Sequence, residues 1–256
     1  MTHGNENRFQ DFFEEGKYLA LKNYLYNYLL RKRAIEKTLA RESYGLILEV
    51  GSGISPVMTQ TGQIVYSELS FLACQTLKHT MGRGHFVCAD ATRLPFRTGA
   101  FSHTLSSEVL EHVEDDSAAI AELARVMKTG GRLIVTFPHR KFYYTNDDHF
   151  VEHFRRYELD EMEARLRKAG LEPLVTQKIL GPLDKLSMMF TIFCVETLQR
   201  GRPKVGPGAP PSWIVRRLVA PVFLWANRLF ACLAWLDARL MPRALATVLL
   251  IVAEKK

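Results

Sequence analysis

The fold depends on one stretch of sequence, Leu46-Ile-Leu-Glu-Val-Gly-Ser-Gly53, in which an apolar run passes directly into a glycine turn. A short apolar run bounded by turn residues is typical of a buried strand. Glycines after such a strand permit positive φ and let the backbone approach a ligand closely. The stretch therefore predicts a buried strand with a ligand near its carboxyl end.

Short apolar runs and amphipathic stretches alternate along the chain that follows. Strands are predicted at 46–50, 64–67, 85–89, 101–106 and 132–137, and helices at 71–80, 116–127 and 158–169. Such alternation favours right-handed crossovers and a parallel sheet, with ligands at the carboxyl edge of the strands. A β-branched run at 245–253 is predicted to complete the sheet. We expect an α/β, Rossmann-like fold with helices flanking the sheet.

The chain divides into four predicted segments. A leading helical segment covers 1–45, the sheet core covers 46–180, and the final strand lies in 244–256. Residues 181–243 are interpreted as an apolar, basic helical insertion before that last strand. Within it, 201–211 contains three glycines and four prolines, so we predict a hinge there.

Two acidic residues end the next two predicted strands. Glu68 follows the second strand, about where a carboxylate can accept both hydroxyls of an adenosine ribose. Asp90 ends the third strand, where a carboxylate or its neighbouring backbone can reach an adenine amino group. One acid at each successive strand end predicts a nucleoside-containing cofactor.

Four motifs in order carry a family resemblance: Ile47-Leu-Glu-Val-Gly-Ser-Gly53, Asp90-Ala-Thr-Arg-Leu-Pro-Phe96, Ser106-Ser-Glu-Val-Leu-Glu-His112 and Leu123-Ala-Arg-Val-Met-Lys-Thr-Gly-Gly-Arg-Leu-Ile134. Together they resemble the class I S-adenosylmethionine-dependent methyltransferases of the small-molecule type. The resemblance covers about 40–180 and the last strand. It implies a seven-stranded, mostly parallel sheet and S-adenosyl-L-methionine as the cofactor.

The resemblance also implies roles for individual residues. Glu49 is expected near the methionine moiety, Glu68 on the ribose, Asp90 with Ala91 beside adenine, and Ser107 with Glu108 near the sulfonium. The complete expected cofactor set is Glu49, Gly51, Ser52, Gly53, Glu68, Leu69, Asp90, Ala91, Ser107 and Glu108. One departure is Ser55-Pro56, where the family often has a further glycine, so a different loop path is expected.

A nicotinamide enzyme is the rival within the same fold, because Glu68 suits the ribose of NAD equally well. Its fingerprint, G-x-G-x-x-G, needs a third glycine for close packing of the helix on the strand. Pro56 occupies that position and argues against NAD.

Acceptor-side candidates follow the fifth strand. The second of two runs, His149-Phe-Val-Glu-His-Phe-Arg-Arg-Tyr157, resembles a His-x-Arg-x-Tyr segment of these enzymes. The candidate catalytic residues are His139, His149, His153 and Tyr157, with Arg155 or Arg156 as an anion clamp. A purely structural role for this loop stays open. No metal is predicted, since the spacing of His149 and His153 lacks a second ligand pair.

The net charge of +7 is unevenly distributed. All of the positive excess lies between Arg200 and Arg243, and the rest of the chain is formally neutral. A confined basic segment favours a local anionic partner over nucleic acid, which usually needs a basic domain face with stacking aromatics. Four cysteines without a CxxC pair and a polar start without a signal peptide predict a cytoplasmic location.

The insertion contains two apolar stretches, 183–198 and 213–239, interrupted by arginines and Pro221. Arg217, Arg228 and Arg239 recur every 11 residues, so an unbroken helix aligns them in a stripe. That pattern is typical of a helix lying in a membrane interface, here at the inner membrane face. A lid over the sheet and a dimer interface stay open as alternatives.

These observations predict a peripheral-membrane, cytoplasmic methyltransferase that acts on a small-molecule acceptor, with a lipid or lipid-linked metabolite favoured. Two alternatives stay open: a non-catalytic partner protein that binds the cofactor at membranes, and a methyltransferase of a soluble metabolite. The sequence determines neither the acceptor atom nor the oligomeric state.

Overall fold

The computed structural model describes residues 25–40, 44–199 and 220–256, with backbone alone at 192–199 and 220–223. Seven strands form one sheet in the order β3-β2-β1-β4-β5-β7-β6. Their bounds are β1 Ile47–Val50, β2 Ile64–Glu68, β3 His85–Cys88, β4 Phe101–Ser107, β5 Met127–Pro138, β6 Leu171–Leu180 and β7 Val248–Lys255. Strands β1 to β5 pair in parallel, and β7 runs antiparallel between β5 and β6. The predicted seven-stranded, mostly parallel sheet is confirmed.

Helices connect the strands and cover both faces of the sheet. They are α1 Tyr26–Leu39, α2 Phe71–Met81, α3 Asp116–Val126, α4 Asn146–Phe150, α5 Leu159–Lys168, α6 Pro182–Gln199 and α7 Ala220–Leu240. Short 3₁₀ turns lie at Leu110–His112, Lys141–Tyr143 and Arg243–Leu245. Gly170, with φ of +78°, follows the C-cap residue of α5, Ala169, and occupies the C′ position where a left-handed glycine commonly ends a helix.

The core consists of two apolar layers, one on each face of the sheet, because successive strand residues point to opposite faces. In β1, Leu48 packs in the layer beneath α3 and α5, whereas Ile47 packs in the layer beneath α1 and α2. Helix α7 joins the second layer through Ala234, which is fully buried. The insertion therefore packs partly on the sheet.

One strand, β6, was not among the strands predicted from the sequence. It lies at the edge of the sheet, and much of it is only half-buried. Edge strands are exposed on more than one side, so Glu172, Thr176 and Gln177 can interrupt the apolar alternation that a sequence pattern requires.

Several predictions fall outside the described residues. These are the start of the leading helical segment through residue 24, the hinge at 201–211, and Arg217 of the predicted arginine stripe. Within the ranges that the structure does describe, no helix combines the length and the apolar character needed to cross a bilayer.

Candidate active site

A deep cleft of about 1390 Å³ opens at the carboxyl ends of the parallel strands. Its floor is the strand-end loops, and its far wall is built by α1, α4, α6 and the loop at 151–156. All ten residues of the expected cofactor set line this cleft. The structure therefore brings together side chains that are up to 59 positions apart in the chain, from Glu49 to Glu108.

The glycine turn after β1 has the backbone shape that a close ligand requires. Gly51 and Gly53 have φ of +69° and +55°, where glycine carries no steric penalty. A Cβ atom at Gly51 would collide with the side chain of Val109. The hydroxyl of Ser52 is buried and has no hydrogen-bond partner among the described residues. A buried donor without a partner, beside an open glycine turn, fits a polar ligand group in the cleft.

Glu68 both binds the glycine turn and lines the cleft. Its Oε2 accepts a hydrogen bond from the Gly53 N–H at 2.8 Å, and its Oε1 accepts one from the Ser70 N–H at 3.1 Å. A carboxylate has about four lone-pair sites, so acceptor capacity is left for ribose hydroxyls. The position of Glu68 agrees with the role that the resemblance implies.

Glu49 lies beneath the loop that follows the glycine turn. Its two carboxylate oxygens accept the backbone N–H groups of Val57 and Met58 at 2.8 and 3.0 Å. Burial raises the pKa of Glu49 to about 7, and these two hydrogen bonds only partly oppose the shift. Glu49 thus supports the path of the loop, including the Ser55-Pro56 departure, as well as lining the cleft.

The end of the cleft near β3 combines a constrained carboxylate with an exposed ring. Asp90 Oδ1 accepts hydrogen bonds from the backbone N–H and the hydroxyl of Thr92, both at 2.8 Å. Phe71, at the first position of α2, lines the same cleft and is 64% exposed. Sequence reasoning missed Phe71, although a large aromatic directly after the Leu69-Ser70 turn was a readable signal.

At the end of β4, the side chains of Ser107 and Glu108 line the cleft. Ser107 Oγ lies 2.9 Å from the hydroxyl of Thr136. Glu108 has φ of +55°, a conformation that costs free energy for any residue with a Cβ and that clusters at functional sites. Its carboxylate pairs with the guanidinium of Arg31 at 3.2 Å. Arg31, from α1, is a cleft residue that the sequence did not identify.

Of the four predicted catalytic residues, all within the described part of the chain, His153 is the one that lines the cleft. His149 is exposed on α4 and packs edge-on against Tyr144. His139 is buried with Nδ1 2.9 Å from the carbonyl of Ala246. Burial lowers the pKa of His139, which keeps its ring neutral. The structure does not bring His139 or His149 to the acceptor side of the cleft.

Tyr157 also lies outside the cleft, because its ring is packed in the core. It is fully buried, and its hydroxyl donates to Asp116 Oδ2 at 2.8 Å. Burial and the charge of Asp116 raise the pKa of this phenol, so it stays protonated. Arg155 pairs with the same carboxylate at 3.0 Å. This half of the predicted loop motif orders the structure.

The other half of the motif builds a charged network around Asp148. One carboxylate oxygen accepts from Arg156 Nε at 2.7 Å and lies 2.8 Å from His153 Nδ1, and the other accepts from Lys185 Nζ at 2.8 Å. Burial opposes ionisation of Asp148, but the hydrogen bonds from His153 and Lys185 and the charge of Arg156 hold its pKa well below the usual range. Asp148 is therefore a fixed anion that orients His153.

Lys185 connects this network to the insertion. It is buried on α6, and its ammonium donates to both oxygens of Asp147 at 2.7 Å as well as to Asp148. Asp184 and Met188 on the same helix line the cleft with it. The sequence reasoning treated this helix only as an apolar segment. The signal in the sequence that one side of this helix faces the cleft was the charged pair Asp184-Lys185 near its start.

The chain is similar to several known methyltransferases. A family model described as a methyltransferase domain matches residues 48–135. A demethylmenaquinone methyltransferase of Mycolicibacterium vanbaalenii is 51% identical over 49 residues, which are 19% of this chain and 22% of that protein. The chloroplastic tocopherol O-methyltransferase of Arabidopsis thaliana is 36% identical over 92 residues, which are 36% of this chain and 24% of that protein.

A solved structure extends the likeness to nearly the whole fold. It is a SAM-dependent methyltransferase from Thermotoga maritima, described as a possible histamine N-methyltransferase. The TM-score is 0.61 at 20% identity, over 97% of this chain and 98% of that one. At that identity the likeness concerns the fold. The two curated relatives are matched over less than a quarter of their own length, so their substrates are not transferred with it.

Proposed function

We propose that the chain, which belongs to the class I S-adenosylmethionine-dependent methyltransferases, transfers a methyl group to an apolar, lipid-type small molecule at a membrane surface. The observation that carries the proposal is a single cleft with two different ends. The strand-end loops supply the cofactor residues, and the opposite wall is formed partly by α6 of the apolar, basic insertion.

S-adenosyl-L-methionine fits the residues of the first end. The glycine turn at 51–53 and Glu68 would hold the methionine and ribose portions, and Asp90, Ala91 and Phe71 would flank the adenine. The cofactor supplies an activated methyl group on a sulfonium. What the protein adds is orientation of the acceptor and exclusion of water, which can be worth about 7–11 kcal/mol.

The acceptor end has one wall that continues to an exposed apolar surface. On α6, Lys185 and Met188 face the cleft, whereas Leu186, Met189 and Phe190 are exposed on the other side. Phe190 is 68% exposed. An apolar acceptor can therefore reach the cleft along a helix that is itself in contact with lipid. The demethylmenaquinone and tocopherol methyltransferases among the relatives support this acceptor class by their names.

Helix α7 continues the exposed apolar surface and adds charge to it. Five large apolar side chains recur at helical spacing on its outer side: Trp225, Leu229, Leu233, Leu236 and Leu240, each at least 44% exposed. Arg228 and Arg239 are also exposed, and their 11-residue spacing aligns them along the edge of this stripe. We name these seven side chains the α7 stripe. An apolar band bordered by arginines matches the chemistry of an anionic bilayer surface.

The buried side of α7 explains why the stripe faces outward. Asn227 Oδ1 accepts the backbone N–H of Tyr26 at 3.0 Å, and the rings of Tyr26 and Phe230 pack edge to face with centroids 4.7 Å apart. These contacts fix the rotation of α7 about its axis against α1. The interpretations of the insertion as a lid and as a membrane surface are compatible, since α6 contributes to both.

Methyl transfer by the purified chain tests the proposal. The full chain is incubated with methyl-tritiated S-adenosylmethionine and either a total lipid extract or the aqueous metabolite fraction. We expect label in the organic phase after extraction. The control is Gly51→Ala, which would block the cofactor turn through Val109. Label confined to the aqueous products would instead support a soluble acceptor with the insertion as lid or dimer interface, and no label would support a non-catalytic protein.

A further inference from the structure

Beside the acceptor end of the cleft lies a cluster of three side chains that can act as metal ligands. Glu111 and His112 sit on the 3₁₀ turn at Leu110–His112, and His153 comes from the loop at 151–156. One ligand atom from each residue lies within 4.8 Å of the other two. The Phe154 N–H donates to the Glu111 carbonyl at 2.8 Å, which holds the two segments together. The juxtaposition is thus fixed by backbone as well as by side chains.

Glu111 is the unusual member of the cluster. Its side chain is 0% exposed, and neither carboxylate oxygen accepts a hydrogen bond from any other residue that the structure describes. The nearest cationic candidate is His153 Nε2, 3.8 Å from Oε1, beyond hydrogen-bond distance. A buried carboxylate without hydrogen bonds is costly and rare unless a further group binds it. The side chain therefore points to a ligand in the space between it and the two imidazoles.

His153 has the support that metal-binding histidines usually have. Its Nδ1 lies 2.8 Å from Asp148 Oδ1, and Asp148 is itself held by Arg156 and Lys185. A carboxylate on one ring nitrogen fixes the tautomer and leaves the other nitrogen, Nε2, to bind a metal. The ring of His112 packs edge-on against that of His153 at 4.7 Å. Both rings line the cleft, so open coordination positions would face the acceptor.

We propose that Glu111, His112 and His153 bind a divalent first-row transition metal ion at the acceptor end of the cleft. Two imidazoles and one carboxylate favour such an ion over Mg²⁺ or Ca²⁺, which prefer all-oxygen sites. Three protein ligands leave positions for an oxygen of the acceptor. The sequence alone predicted no metal, because Glu111 and His112 are 41 positions or more from His153.

The chemistry of such an ion suits an acceptor that carries a hydroxyl group, an inference that rests on the proposed function. A hydroxyl bound to the ion releases its proton to water more readily, as metal-bound water does. The resulting oxygen then forms its bond to the methyl carbon as the sulfur–carbon bond of the donor breaks. His153 acts here as a ligand and Asp148 as a positioning residue.

Metal uptake by the chelator-stripped full chain tests the site without cofactor or acceptor, so its failure is separate from failure of the proposed function. Co²⁺ is the probe, followed by its visible absorption bands. We expect one equivalent to bind. Glu111→Gln and His153→Ala should each weaken binding at least about tenfold, and Asp148→Asn by about 10- to 100-fold. His79→Ala, an exposed histidine on α2, should bind like the wild type.

Circular dichroism establishes that each variant is folded, and His112→Gln replaces Glu111→Gln if the latter does not fold. A folded wild type that takes up no Co²⁺ at millimolar concentration overturns the proposal. So does uptake that is equally strong in the folded Glu111, His112 and His153 variants, because the ion would then be bound elsewhere.

Discussion

At the scale of single residues, Glu49 and Glu68 each accept hydrogen bonds from backbone N–H groups of a loop and also line the cleft. Glu68 accepts one hydrogen bond from Gly53 and one from Ser70, which leaves lone pairs of its carboxylate for a ligand in the cleft. Glu49 uses both oxygens on the backbone of Val57 and Met58. Substitution at either position therefore affects the loop as well as the ligand, and the tests must distinguish the two.

Glu68→Gln is expected to weaken binding of S-adenosylmethionine by about 1–3 kcal/mol, because charge-assisted hydrogen bonds to the ribose become neutral ones. Gln keeps one oxygen acceptor for the Gly53 N–H, so the loop should stay in place. Calorimetric titration measures the affinity for the cofactor. Thermal unfolding without cofactor measures the stability of the variant, which falls if the loop is displaced. Unchanged affinity in a stable variant would contradict the ribose assignment.

Glu49 should make the stability of the protein depend on pH near neutrality. Its pKa is raised from 4.5 to about 7, so the folded state holds a proton that the unfolded state has lost between these values. The free energy of unfolding must therefore fall as the pH rises through this window, by about 2 kcal/mol between pH 5.5 and 7.5. Urea unfolding of the wild type against Glu49→Gln isolates this contribution. Parallel pH profiles of the two proteins would show that Glu49 does not titrate there.

His153→Ala is expected to lower the turnover number at least about tenfold while changing the affinity for S-adenosylmethionine less than about twofold, because the side chain lines the part of the cleft that we propose binds the acceptor. His79→Ala, at an exposed position on α2, serves as the matched histidine control. Equal losses of turnover, cofactor affinity and thermal stability in His153→Ala would instead assign His153 a purely structural role.

At the scale of elements, one side chain of α7, that of Asp237, binds the start of α6. Asp237 of α7 accepts the backbone N–H of Leu183, in the first turn of α6, at 3.0 Å. Gly181 lies so close that a Cβ there would collide with the same carboxylate. Asp237 thus caps a helix to which it is not connected by local sequence, and it holds the cleft-facing start of α6 against α7.

Asp237→Ala is expected to destabilise the protein by about 1 kcal/mol, the usual value of a lost helix cap. Asp237→Asn keeps an oxygen that can accept from Leu183 and should lose much less. Chemical unfolding measures both variants. A stability loss that is the same for Ala and Asn would show that charge, and not the cap, is what Asp237 provides.

Elements also show where prediction from sequence reaches its limit. The strands from β1 to β5 were predicted because each contains a short, largely apolar run bounded by turn residues; β1 and β2 are also buried on both faces. Strand β5 nevertheless begins at Met127, inside a run that reads as the end of a helix followed by Gly130-Gly131. Pairing with β4, in which Met127 lies opposite Phe101, decides the state at the start of this strand, and that partner is remote in sequence.

At the scale of the whole molecule, many of the exposed large apolar side chains that the structure describes belong to α6 and α7. Leu186, Met189 and Phe190 of α6 accompany the α7 stripe. Arg239 lies over the ring of Trp235 at 5.5 Å, an arrangement that keeps the charge beside the apolar band. Exposed patches of this kind mark interaction surfaces.

Binding to vesicles containing about 30% anionic lipid is expected for the wild type, since each basic residue near such a surface contributes about 1 kcal/mol. Arg228→Glu with Arg239→Glu should weaken binding at least about tenfold. Lys78→Glu with Lys168→Glu changes the net charge equally on exposed positions of α2 and α5 and should have little effect. Vesicle sedimentation at low and high salt measures all three. Equal binding of the two double variants, or no binding of the wild type, would contradict the membrane surface.

The sequence by itself determined the fold class and the cofactor half of the cleft. Each element of that half is local: a strand, the turn directly after it, and an acid or glycine at the strand end, so short-range patterns carry the information. Parallel strands necessarily bring these ends to one edge. That is why local patterns, together with the family resemblance of these motifs, could name a set of residues that all line the cleft: Glu49, Gly51, Ser52, Gly53, Glu68, Leu69, Asp90, Ala91, Ser107 and Glu108.

Only the tertiary structure decided the acceptor half. His153 faces the cleft, while His139, His149 and Tyr157 from the same short stretch of chain do not, because burial and rotation around a loop have no periodic signature. The groups around His153 come from other segments: Glu111 after β4 and Asp148 on α4 lie beside its ring, and Lys185 on α6 binds Asp148 in turn. Contacts between distant segments depend on packing of the complete chain, and this is the physical reason that the sequence could not reveal them.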